Sequence, residues 1–154
     1  MTDYFGAQAT QFMDDLVTII SGASQWGTDF GVKPRITKRY DRKVTGLAVA
    51  KSESILIYVD RESIKPFTIG VGVSPTKSWY HTLTASIEIQ SNVSDTRLDQ
   101  LLDAVIHILK SNVTYTGYVQ IMPKAIKMLG EEQRGGFAAI IDVEGQKYAP
   151  IRTV

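Results

Sequence analysis

The chain has no cysteine among its 154 residues. This removes disulfide staples, thiolate catalysis and cysteine-based zinc sites together, and it suits a reducing cytoplasm. An excess of charge of either sign is also missing. The 17 Lys and Arg stand against 16 Asp and Glu, a net of +1, so no global field draws the molecule onto nucleic acid or an anionic membrane. No apolar run approaches the ~18 residues of a spanning helix. The opening "MTDYFGAQATQFMDD" is acidic where a signal peptide is basic. Neither export nor membrane association is expected.

Motifs for covalent chemistry are absent as well. No G-x-S-x-G nucleophile elbow occurs, "GVGVSP" lacks the third glycine of a dinucleotide fingerprint, and no glycine-lysine-Ser/Thr ending marks a nucleotide-triphosphate loop. Histidine occurs at two positions only, His81 and His107. His107 falls about 180° from Leu98 on a helical wheel, so it reads as a solvated partner of Asp103 one turn earlier. His81, in "WYHTL", reads as a packed or loop histidine.

What is present is an ordinary globular composition, 44% apolar and 21% charged, with enough length for one core. A single domain, residues 1–154, is expected. In the first segment Phe5, Ala9, Phe12, Leu16, Ile19 and Ile20 form a stripe at helical spacing. Thr2 or Asp3 is a candidate cap, and Gly22 a candidate left-handed terminator. "ILIYVD", residues 55–60, reads as a central strand covered on both faces. Leu83, Ala85, Ile87 and Ile89 then alternate with Thr84, Ser86, Glu88 and Gln90, the pattern of a strand with one dry face. Ser94 can cap the following helix, Asp95 suits its positive first turn, and Leu98, Leu101, Leu102, Val105 and Leu109 make its stripe up to Asn112. Two further extended runs, "YTGYVQIMPKAIKML" and "GGFAAIIDVEGQKY", read as a β-hairpin with a polar tip. Pro123 belongs at an edge or a bulge, because it has no N–H for a ladder.

The expected fold is therefore α+β: a small mixed sheet flanked by two helices in the order α-β-β-α-β-β. Long loops at 25–54 and 61–79 lie on either side of the first strand, with one short strand near "TGLAVA". Loops of that length are often functional. The first carries "KPRITKRYDRK", where Lys33, Arg35, Lys38, Arg39, Arg42 and Lys43 face one Asp41. This basic patch could be a solvated loop, a protein contact, or a phosphate-binding strip with Tyr40 for stacking. Trp26 and Phe30 just upstream are of the type enriched at interface cores. One enzymatic reading stays open: Asp60 with Glu88 and Gln90 on neighbouring strands could hold magnesium, as in restriction-type nucleases. There Gln90 stands where such enzymes usually place a lysine.

The helix ending at "TIISG", the strand "ILIYV", the unit "SIEIQSNVSDTRLDQLLDAVIHILKSN" and the closing hairpin with "EEQRGGFAAIIDVEG" together resemble the tail terminator, or tail completion, proteins of long-tailed bacterial and archaeal viruses. The resemblance covers most of the chain, whose first excursion is longer than that of the shortest members. It implies a non-enzymatic virion protein without a cofactor. It would form a homohexameric ring that stops tail-tube growth and presents a surface to head-completion, or neck, proteins. Its place would be the head-proximal end of the tail, after assembly in the host cytoplasm. Partners would be further copies, the tail tube protein and the neck protein, with a passing contact to viral DNA at most. A related neck or connector protein is the neighbouring alternative. The expected interface residues are Trp26, Phe30, Arg35, Lys38 and Arg39 in the first excursion, Phe67 in the second, and Pro123 on the strand edge.

Overall fold

The protein is described by a computed structural model covering residues 8–38, 53–66, 78–129 and 137–150. Helix α1 spans Ala9–Ser21 and α2 spans Asp95–Ser111. Strands β1 (Arg35–Lys38), β2 (Ser54–Pro66), β3 (Ser78–Ser91), β4 (Gln120–Leu129) and β5 (Phe137–Pro150) form one sheet in the order β1-β2-β3-β5-β4. β1 runs parallel to β2, and every other neighbouring pair is antiparallel. The α+β class and the succession of elements agree with the sequence reading, with a fifth strand added.

Alternation along β3 organises the core. Leu83, Ala85, Ile87 and Ile89 are fully buried, in register with Ile57, Ile55, Val143, Ile141 and Ala139 on the neighbouring strands. Both helices lie on this face. α1 supplies Phe12, Leu16 and Ile20, and α2 supplies Leu101, Val105 and Leu109, all with no more than trace exposure. Phe12 sits over Gly145 of β5, where an added Cβ would come within 2.5 Å of the ring. The glycine is what lets the helix settle onto the sheet. The opposite face, with Leu56, Tyr58, Glu88 and Ile140 half-buried, carries no helix among the described residues.

The second helix starts and stops as its sequence predicts. Ser94 accepts the Arg97 N–H at 3.1 Å, and Asn112 closes the C-terminus with its side chain on the Ile108 carbonyl at 2.8 Å. The first helix corrects two expectations. It begins at Ala9 with Gln8 in the cap position, later than expected; Thr2 and Asp3, the expected caps, lie outside the described residues. The carboxylate of Glu62, from β2, instead receives the Gln8 N–H at 3.0 Å on both oxygens. This places negative charge at the positive helix terminus from a different element. Gly22 has φ −86°, not a left-handed value; a Cβ there would lie 2.9 Å from the Thr18 carbonyl, so the glycine answers a close approach.

The two excursions are also shorter than expected. Residues 61–66 and 78–79 are strand, because β2 and β3 pair along their whole lengths past a bulge between Val59 and Arg61. That bulge shifts the alternation by one and hides the strand from a period-two reading. β2 is interior but not central, and its two faces differ. Ile55 and Ile57 are buried under α1 while Leu56 and Tyr58 are half-buried, so it is not covered alike on both sides. Within 25–54, residues 35–38 form β1, which the charge-rich sequence concealed. The strand expected near "TGLAVA" lies outside the described residues, as does the hairpin tip at 130–136. Residues 115–119 are turn, so the first hairpin strand begins later, at Gln120.

Gly145→Ala is expected to lower unfolding stability by about 1–3 kcal/mol, the usual cost of overpacking a filled core. Combining it with Phe12→Leu should be less than additive, since both changes act on one contact. Denaturant unfolding of the two single variants and the double variant checks this.

Candidate assembly surfaces

Three features outside the core have definite geometry. The first is the edge strand β4. Among the described residues its only strand partner is β5; the outward Ile121 N–H donates to the Val113 carbonyl at 2.8 Å, so the open part of the rim lies beyond Pro123. Pro123 lies on this edge, next to a register shift between Pro123 and Ala125, as its missing N–H requires. Beyond the bulge Ile126 and Met128 pair with Ile141 and Ala139 on the helix-covered side, yet they are 49% and 57% exposed. Lys124 and Lys127 stand exposed beside them, Lys124 with Glu144 at 3.6 Å.

The second is the turn after α1. The Trp26 indole donates to the Ile20 carbonyl at 2.7 Å, and its ring meets Phe30 edge to face at 5.4 Å. Both rings are packed partly against the core. They brace the turn, and do not project as a free arm. Phe30 also meets the ring of His107 at 5.8 Å, so the exposed histidine on α2 has an aromatic neighbour; the ion pairs among the described residues do not include one with Asp103. The turn is held by Arg97 in the first turns of α2. Its guanidinium donates to the carbonyls of Phe30 at 2.8 Å and Val32 at 2.7 Å, and grips Glu53 at 2.7 and 3.0 Å. Gly31, at φ +76°, passes so near that a Cβ would lie 2.7 Å from the guanidinium.

Outward from this clamp, a hollow of about 540 Å³ is lined by Phe30 and Ala104, with Asp29, Asp99 and Asp103 at its rim and His107 beside them. No Lys or Arg lines it. The sequence reading names Asp103 only as a solvated partner of His107, although Asp95, Asp99 and Asp103 at i, i+4 and i+8 form one acidic stripe.

The third is a buried polar network under the start of α1. His81 is fully buried and its Nδ1 lies 2.7 Å from Glu62. Its register partner on β5, Lys147, is nearly buried with its ammonium 4.7 Å from the centroid of the Tyr118 ring. The Tyr118 hydroxyl donates to Asp15 of α1 at 2.6 Å. Burial, and then the bond to Asp15, raises the Tyr118 phenol above its ordinary range, while burial lowers the Lys147 ammonium. At this one end of the sheet, Glu62 of β2 and Tyr118 ahead of β4 are both bonded to α1 and its cap. Only the packed state of His81 was legible beforehand; the bulge that turns Glu62 inward left no mark in the residue pattern.

The remaining candidates fall elsewhere. Arg35 is exposed on β1, and Lys38 is paired with Asp14 of α1. Arg39, Phe67 and the basic residues from Arg42 to Lys43 lie outside the described residues. Asp60 accepts the Ser86 hydroxyl at 2.6 Å, and Glu88 is bonded by the Gln90 amide. Among the described residues no three His, Asp or Glu side chains are grouped so that they could hold a metal ion.

No family model matches the chain, and no curated protein matches it. Among solved structures, a chain from the virion of a native gene transfer agent particle is similar over 94% of this chain and 96% of its own, at 11% identity and a TM-score of 0.45. At that identity and superposition the likeness carries no argument about function.

Two measurements probe these sites. Tyr118→Phe is expected to cost about 1.5–3 kcal/mol, as for a hydrogen bond to a charged group. It should also flatten the alkaline limb of stability. Above pH 10.0 the unfolded phenol ionises while the folded one keeps its proton, so wild-type stability from this group falls with rising pH, and the variant lacks that fall. Arg97→Lys should loosen residues 27–32, read as faster amide exchange there, because one ammonium cannot reproduce the planar fork.

Proposed function

We propose that the chain is a structural virion protein of the tail terminator type. In this reading copies form a homohexameric ring that ends the tail tube and joins it to the neck proteins. The supporting observation is the β4 edge, a strand paired on one side only among the described residues, where Ile126 and Met128 are 49% and 57% exposed. A closed ring needs two unlike patches per subunit, joined by a rotation that returns to its start. The strand edge and the braced turn beside α2 are unlike in shape and charge and supply such a pair. Trp26, Phe30, Arg35, Lys38, Arg39, Phe67 and Pro123 remain the interface residues of this reading, with Trp26 acting as a brace beneath the surface and Phe30 as its floor. Ring number and place in the tail follow from the resemblance quoted above, in the elements and not in any catalytic signature.

The purified protein should show a mass above the monomer by light scattering at micromolar and higher concentration, with rings in negative stain. Monomer throughout, with no ring on isolated tails, would remove the proposal. Magnesium-dependent cleavage of DNA lost in Glu88→Ala would replace it with the nuclease alternative.

A further inference from the structure

We infer that the β4 edge of one copy seats on the acidic hollow of α2 in the next copy, head to tail. This rests on the self-assembly reading above and specifies which surfaces meet. The argument is one of complementarity in charge and polarity. Along the edge Lys124 and Lys127 are exposed on the open-face side, Lys127 level with Ile140 and Lys124 beside Glu144, while Ile126 and Met128 are exposed on the helix-covered side, so a groove that takes the rim meets both kinds of side chain. The hollow offers three exposed aspartates, Asp29, Asp99 and Asp103, around Phe30, with Val32 of the same Arg97-held turn 77% exposed. Each surface has what the other lacks.

Pairing like with like is disfavoured on both sides. Two β4 edges together would set lysines against lysines, and like charges directly across a strand pair repel. Joining β4 to the other sheet edge, β1, brings Lys124 and Lys127 toward Arg35 and Lys33, again of one sign. Two α2 faces would oppose aspartates. Of the pairings open to β4, edge against hollow brings opposite charges together, and because the two lie on different elements each subunit keeps one of each free for the next. Within one molecule the aspartates enter no ion pair among the described residues, the ones present being Lys38–Asp14, His81–Glu62, Arg97–Glu53 and Lys124–Glu144. Lys124 can leave Glu144 at little cost, since exposed pairs contribute about 0–1 kcal/mol.

Charge reversal tests this. The edge variant, Lys124→Glu with Lys127→Glu, and the hollow variant, Asp99→Lys with Asp103→Lys, should each be folded by circular dichroism but lose the wild-type oligomer, with at least a tenfold weaker association at ~0.15 M salt. Mixed in equal amounts they should reassemble, because the acidic edge of one now meets the basic hollow of the other. The restored particle should have an even number of subunits in alternation. Rising salt should dissociate wild type and mixture alike. If both variants assemble as wild type does, or the mixture stays apart while the wild type assembles, this pairing is overturned and the assembly reading stands. A wild type that never leaves the monomer overturns both.

Discussion

The structure depends on the alternation of β3. Four apolar side chains on one face of the central strand are matched in register by strands on both sides, and together they make the single dry surface against which α1 and α2 can lie. Burying an aliphatic side chain of this size stabilises the fold by about 1.5–3 kcal/mol. A row of them fixes the sheet's register, because a slip of one residue would turn the whole set into water. Once both helices are committed to that face, the ends of the sheet and its open face are what remains for other contacts.

Two bulges then bend this simple pattern to particular ends. The shift between Val59 and Arg61 carries Glu62 onto the helix side, where its carboxylate closes the start of α1 and meets His81. The shift after Pro123 carries Ile126 and Met128 onto the helix side at the rim of the sheet. In each case one additional residue changes which face a side chain reaches. The first bulge puts polar groups into the interior, and the second leaves apolar groups at the boundary.

This explains what could be read from the residues alone. The β3–α2 unit was legible because its period changes cleanly from two to about three and a half and Ser94 marks the junction. Pro123 was legible because a missing donor has few places in a sheet. The second half of β2 was not, since "RESIKP" loses its alternation at the bulge, and β1 was not, since "RITK" is short and half charged. Trp26 and Phe30 were visible as large rings in a loop. That they brace the turn depends on Arg97, 67 residues from Phe30, whose contacts no local pattern encodes. The acidic stripe of α2 is legible at i, i+4 and i+8, but a charged helix face is ordinarily just solvated, so Asp95 and Asp103 stand out only as a first-turn charge and a histidine's neighbour.

The kink beside Pro123 has a consequence for the behaviour of the free subunit. Open sheets at high concentration tend to stack rim to rim into fibrils. A proline that withholds a donor, and a backbone step that twists the rim out of plane, make β4 a poor template for a flat, regularly hydrogen-bonded neighbour. A neighbour on this rim is then held by side chains more than by a continuous backbone ladder.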